Sequence, residues 1–144
     1  MDNGLKHSTL TESIIGTFFE VYNELGHGFL ESVYENSLAV ALRDKGFEVY
    51  QQIAIPVHFR GKLVGDFVAD MIVDRTILLE LKSARTIDSA HVAQLLNYLK
   101  ATEIEVGLLL NFGQKPEFKR LAFENRRKRS INEGTSLLSA LFDS

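Results

Sequence analysis

Cysteine is absent from the 144 residues. That absence excludes a disulfide framework, thiolate-built zinc sites and a cysteine nucleophile, and it favours an intracellular compartment. No apolar run approaches the ~20 residues needed to cross a bilayer, and the opening MDNGLKHSTLTES lacks the basic-then-apolar order of a secretory signal. The expectation is a soluble, cytoplasmic protein without membrane contact. A basic excess is also missing: the net charge is −3 and the pI near 5.8, so no global positive field draws in nucleic acid. The four histidines, His7, His27, His58 and His91, show no metal-ligand spacing. Gly26-His27-Gly28 is too short for a phosphate-cradling fingerprint, and no serine sits in a nucleophile-elbow pattern. Thiol and serine-hydrolase chemistries therefore drop out, nucleotide-driven chemistry would need another subunit, and the carboxylates remain.

With 45% hydrophobic and 24% charged residues, the length fits one domain around one core. That domain is expected to span 1–144, with the core over about 9–123 and a basic, then apolar, tail over 124–144. Seven cations between Lys115 and Arg129 face only Glu117 and Glu124, a local charge of +5 that leaves −8 for the remainder. Such a run serves either as a solvated surface or as a phosphate contact.

Thr9 and Glu12 form a capping-box pattern, and Ile14, Ile15, Phe18, Phe19 and Tyr22 follow at helical spacing, which predicts a helix over about 9–24. A second helix carries Leu30, Tyr34, Leu38, Ala41 and Leu42 and stops at Lys45-Gly46. Alternation then replaces helical spacing. Phe47, Val49, Ile53, Ile55, Val57 and Phe59 are expected on one face of a long strand, with Pro56 marking a sheet edge or a break. Arg60-Gly61-Lys62 supplies a turn, 63–73 a second strand, Asp74-Arg75-Thr76 a short break, and 77–83 a third strand of the same meander. Asp88 or Ser89 caps a helix over about 89–102, and 106–111 reads as a buried strand. Residues 117–123 fit either a strand or a helix opened by Pro116, with the strand preferred. Leu137, Leu138, Leu141 and Phe142 recur at helical spacing, predicting a tail helix that either docks on the core or forms a homo-oligomer.

The chemistry concentrates where charge interrupts apolar strands. Ile77, Leu79 and Leu81 share one face of the third strand, while Glu80 and Lys82 project from the other. Asp66, Val68, Asp70 and Ile72 are expected on one face of the second. A loop of residues 74–76 pairs 73 with 77 and hence sets Asp70 opposite Glu80. Carboxylates so paired have β-carbons only ~4.5–5.5 Å apart and repel unless something compensates. A divalent cation would do so, since Mg²⁺ takes oxygen ligands from one or two carboxylates and completes its shell with water and phosphate oxygens. A surface ion-pair network is the plainer alternative. Gln94 and Tyr98 lie one turn apart on the helix that follows, and Glu31 opens the second helix with Tyr34 one turn on. Taken singly, Tyr34 and Tyr98 suit packing, and Glu31 suits a first-turn acid favoured by the helix dipole.

Gly28-Phe29-Leu30-Glu31-Ser32-Val33-Tyr34 resembles the signature of the GxxExxY protein family. Ala69-Asp70 with Glu80-Leu81-Lys82 resembles the core motif of the PD-(D/E)xK nuclease superfamily, to which that family is assigned, with Ala69 in place of the proline. The likeness continues through Gln94-Leu95-Leu96-Asn97-Tyr98 and 106–113. It implies an α/β, restriction-endonuclease-like fold of core order αβββαβ, a mixed sheet flanked by helices. It also implies a nuclease hydrolysing phosphodiester bonds in nucleic acid, with DNA the favoured substrate. By the same resemblance Asp70, Glu80 and Glu31 would bind Mg²⁺, or Mn²⁺ in its place. Asp70, Glu80, Lys82 and Gln94 would be catalytic, with Lys82 serving the attacking water, and Tyr98 and Tyr34 would line the substrate. The alternative within the same fold is a catalytically silent nucleic-acid-binding or regulatory module.

Overall fold

The protein, a computed structural model, is described over residues 6–128. Helices α1 (Ser8–Leu25) and α2 (Glu31–Asp44) precede a meander of β1 (Val49–Phe59), β2 (Lys62–Val73) and β3 (Ile77–Lys82). Helix α3 (Ser89–Lys100) then leads to β4 (Val106–Phe112) and β5 (Pro116–Ala122). The five strands form one sheet in chain order, antiparallel throughout except where β3 runs parallel to β4. A parallel pair needs a crossover, and α3 supplies it. The predicted tail helix at 137–142 lies outside the described residues.

Two hydrophobic layers sandwich the sheet. Ile14, Phe18 and Val21 of α1 and Tyr34, Leu38 and Leu42 of α2 pack on Met71, Ile77, Leu79, Leu108 and Leu110. Leu95 and Leu99 of α3 pack on Ile55, Ala69, Ile72, Leu78 and Leu109 on the opposite side. β3 and β4 therefore carry buried aliphatics on both faces, as sheet centres covered by helices require, and each fully buried aliphatic there contributes about 1.5–3 kcal/mol.

Several local expectations are revised. The Thr9–Glu12 capping box does not form: the chain enters α1 through His7 in the left-handed region (φ 57°), so Thr9 lies inside the first turn and no side chain caps it. A capping box forms instead on α3. The Asp88 side chain accepts from the His91 N–H at 3.0 Å, and His91 Nδ1 accepts from the Asp88 N–H at 3.3 Å.

The larger revision concerns β1 and β2. Strict alternation would place Val49, Ile53 and Ile55 together, yet Val49 joins the α1–α2 layer while Ile53 and Ile55 join the α3 layer. Likewise Met71 and Val73 face α1 and α2, whereas Phe67, Ala69 and Ile72 face α3. Both strands change faces at the same level, where Gln52 takes a φ of 52°. Gln51 pairs with Met71 and Ile53 with Ala69, so Gln52 and Asp70 stand opposite each other outside the ladder. Beyond this break β2 leaves β3, whose ladder covers only residues 71–73 and 77–79, and the hairpin continues as a two-stranded arm. Pro56 lies on the edge strand β1, where its missing donor costs no interior ladder bond.

Candidate active site

The turn at 74–76 sets Val73 opposite Ile77, and continuing that register brings Asp70 opposite Glu80. The main-chain ladder stops just before them. In its place the Asp70 N–H donates to Glu80 Oε2 at 2.8 Å, and the Leu81 N–H donates to Asp70 Oδ2 at 2.8 Å. Each carboxylate thus takes a backbone donor from the other's strand, and the two head groups are held together rather than splayed into solvent. This crossed arrangement follows from the face change: once β2 twists at residue 70, its amide no longer meets a β3 carbonyl.

Glu80 is only 4% exposed. Burial, then the charge of Asp70, and more weakly that of Glu31, push its carboxyl up to about 8, against the opposing pull of the Asp70 N–H and the Lys82 ammonium. Lys82 lies two residues along the same face and is half-buried. On α3 the Tyr98 phenol is also pushed upward, by burial first and then by the charges of Glu80 and Asp70, while a hydrogen bond with Gln94 opposes the shift. The Tyr98 ring lies parallel to Phe67, with centroids 3.6 Å apart. Gln94 and Tyr98 of α3 therefore join the same constellation as Asp70, Glu80 and Lys82.

Glu31 approaches from the opposite side. It is exposed at the first turn of α2, its Oε2 is 3.5 Å from Ser83 Oγ, and its charge is felt at Glu80. Among the described residues, however, no three His, Cys, Asp or Glu side chains converge on a single metal-holding point. The donor set that does fit an oxygen-seeking cation is the Asp70–Glu80 pair: two carboxylates, one of them buried beside the other's charge.

Tyr34 offers no exposed surface at the site. Its ring is fully buried and stacks on Phe112 with centroids 4.4 Å apart, and its hydroxyl donates to the Gly26 carbonyl at 2.5 Å and accepts from the Phe29 N–H at 3.3 Å. Its work is to close the loop that delivers Glu31. Gly28, at φ 110°, supplies the backbone turn in that loop.

Two residues escaped the sequence reading. Glu35 accepts from Gln51 Nε2 at 2.8 Å and from Gln52 Nε2 at 2.6 Å, and Gln52 also reaches Asp70 Oδ1 at 3.4 Å. The spacing of Glu31 and Glu35, one turn apart on α2, was the available signal. For Gln52 there was none, because a left-handed residue inside a strand leaves no compositional trace. Asn111 is a further support: fully buried, it accepts from the Ala84 N–H at 2.8 Å and donates to the Ala84 carbonyl at 2.9 Å, fixing the chain just after Lys82.

The family model of the PD-(D/E)XK nuclease superfamily matches residues 8–121. Among solved structures, one described as the crystal structure of SSO0001 superposes with a TM-score of 0.51 at 15% identity, covering 86% of this chain and 80% of that one, a likeness of fold. Comparison with curated proteins gave no match. The mixed five-stranded sheet flanked by helices is consistent with the restriction-endonuclease-like fold of that superfamily.

Proposed function

Since the chain belongs to the PD-(D/E)XK nuclease superfamily, we propose that it is a metal-dependent nuclease that hydrolyses phosphodiester bonds in DNA. The observation that carries this reading is the cross-bonded pair of Asp70 and Glu80, with a nearly buried carboxyl whose ionisation is opposed by burial and by the Asp70 charge. Asp70 and Glu80 would hold Mg²⁺, or Mn²⁺ in its place, with Glu31 of α2 as a third carboxylate. The bound ion supplies charge neutralisation at the phosphate and a more acidic water.

The chain's own groups do the rest. Lys82 orients the attacking water and offsets negative charge developing at phosphorus. Gln94 holds the Tyr98 hydroxyl, and both face the acidic pair from α3, where they position the substrate and keep the site partly dry.

The test is cleavage of labelled single-stranded, duplex and flap DNA in Mg²⁺ and in Mn²⁺, with Glu80→Ala and Lys82→Ala purified in parallel to exclude a contaminating nuclease. Metal-dependent cleavage should vanish in Glu80→Ala and fall by ~10²-fold or more in Lys82→Ala, with binding retained. Equal cleavage by all three proteins would remove the site from the reaction. Salt-dependent binding without cleavage by the wild type would make the protein a binding module.

A further inference from the structure

Next to the strand end that carries Lys82, three loops at the end of β3 and β4 border an open cavity of about 460 Å³ lined by His27, Phe29, Ser83, Arg85, Phe112 and Gln114, among other residues. Two of its walls run directly into the proposed machinery: Phe29 lies two residues before Glu31, and Ser83 follows Lys82.

Each loop is tied down by a polar side chain from the α1–α2 layer or from the sheet. The Tyr34 hydroxyl bonds Gly26 and Phe29, Asn111 clamps both polar groups of Ala84, and the Tyr22 hydroxyl reaches the carbonyls of Gly113 at 2.7 Å and Gln114 at 2.6 Å. Gly113 is required by the close approach, because a β-carbon there would lie 2.2 Å from the Ala84 carbonyl oxygen. The cavity is therefore formed in advance, whereas the groups at its mouth are uncommitted. Phe29 is 47% exposed, with its ring braced edge-on against Tyr34 at 6.0 Å. Arg85 is exposed and has no ion-pair partner among the described residues. A second cavity of about 330 Å³ shares Arg85 and Gln114 and continues to Lys115 and Glu117, so the first is not a closed end.

We infer that this cavity receives one unstacked nucleotide of a single-stranded nucleic acid, its base against the Phe29 ring and its phosphate at Arg85. The inference rests on the nuclease reading and narrows it to strands whose bases are free. An exposed aromatic ring offers every base a stacking face, and an adjacent guanidinium pairs with the backbone. In a duplex each base face is already stacked on its neighbours, so a base must first unstack before its face can meet the Phe29 ring, and that cost disfavours duplex.

Binding is measured in EDTA, without turnover, by fluorescence polarisation of labelled DNA and RNA single strands and of a DNA duplex of the same sequence. The wild type should bind one or both single strands more tightly than duplex. Phe29→Ala should weaken single-strand binding by ~10-fold, as expected for one lost base stack, with Phe29→Tyr restoring it. Arg85→Ala should reduce the slope of log affinity against log salt by about 0.7, the share of one single-strand phosphate. Val40→Ala, on an exposed position of α2, serves as control, and melting temperatures establish that each variant is folded.

Wild-type affinity in folded Phe29→Ala and Arg85→Ala, or equal binding of duplex and single strands by the wild type, overturns the inference. A parallel Mn²⁺ cleavage assay separates the two readings. Binding as expected with no cleavage defeats the nuclease reading alone, and cleavage with an unchanged KM in Phe29→Ala defeats the subsite alone.

Discussion

Glu80 keeps its proton to about pH 8 because burial and the neighbouring Asp70 charge act in the same direction. In the unfolded chain the same carboxyl titrates near 4.5. The folded protein therefore binds this proton more tightly, and the group's contribution is fully present below about 4.5 and lost as pH rises through about 8. In metal-free buffer the melting temperature of the wild type should fall across that window, and Glu80→Gln, which cannot ionise, should flatten the fall. Asp70→Asn tests the same pair from the other side. Removing its charge relieves Glu80, and the amide oxygen can still accept from Leu81, so stability without metal should stay level or rise. Saturating Mg²⁺ should raise the wild-type melting temperature, by the equivalent of ~2.7 kcal/mol at a hundredfold excess over Kd, and Asp70→Asn should lose most of that gain. Equal Mg²⁺ responses in both proteins would rule out a shared site. The Asp70–Glu80 juxtaposition was legible from a three-residue turn and period-two counting. The role of Tyr34 was not, because spacing places a tyrosine on a helix face without saying whether its hydroxyl meets substrate or a neighbouring carbonyl.

At the level of elements, the order of helices and strands was readable wherever apolar periodicity ran unbroken, as in α1, α2, β3 and β4. Alternation failed in β1 and β2 because it assumes extended backbone at every residue, and Gln52 departs from it. The consequence reaches the site, since the same break frees the Asp70 amide for Glu80. The start of α3 rests on a different device. His91 fills the place that Glu or Gln takes in the usual capping box, and it fixes the first turn of the helix bearing Gln94 and Tyr98. Asp88→Ala should therefore cost about 1 kcal/mol in chemical denaturation, and an unchanged midpoint would show the cap to be idle.

Across the whole molecule, the basic run that stood out in the sequence is divided among separate tasks. Lys115 and Lys119 are exposed on or beside β5. Arg126 pairs with Glu124 at 2.8 Å, and Arg127 lies over the Phe123 ring at 4.9 Å. Lys128 donates to the Thr102 and Ile104 carbonyls at 2.8 Å each, while burial pushes its ammonium down to about 8. Arg129 and the apolar tail lie outside the described residues. A count of charges along the chain cannot distinguish a cation that holds the end of α3 from one that meets phosphate. Lys128→Ala should destabilise by about 1–2 kcal/mol with little change in the salt dependence of binding, whereas Lys115→Ala should flatten that dependence and leave melting unchanged. The reverse pattern would return Lys128 to the nucleic-acid surface.

The crossed hydrogen bonds between β2 and β3 also make the site observable from the backbone. Two main-chain amide protons, those of Asp70 and Leu81, end on carboxylate oxygens instead of peptide carbonyls. Their ¹⁵N–¹H resonances are therefore local reporters of charge at the two acids. In a pH titration of the metal-free protein the Asp70 amide should shift with a midpoint near 8, following Glu80. Stepwise addition of Mg²⁺ at fixed pH should move the Asp70 and Leu81 signals together along a single saturating curve. Occupancy of the acidic pair can thus be read, residue by residue, before any substrate has been found.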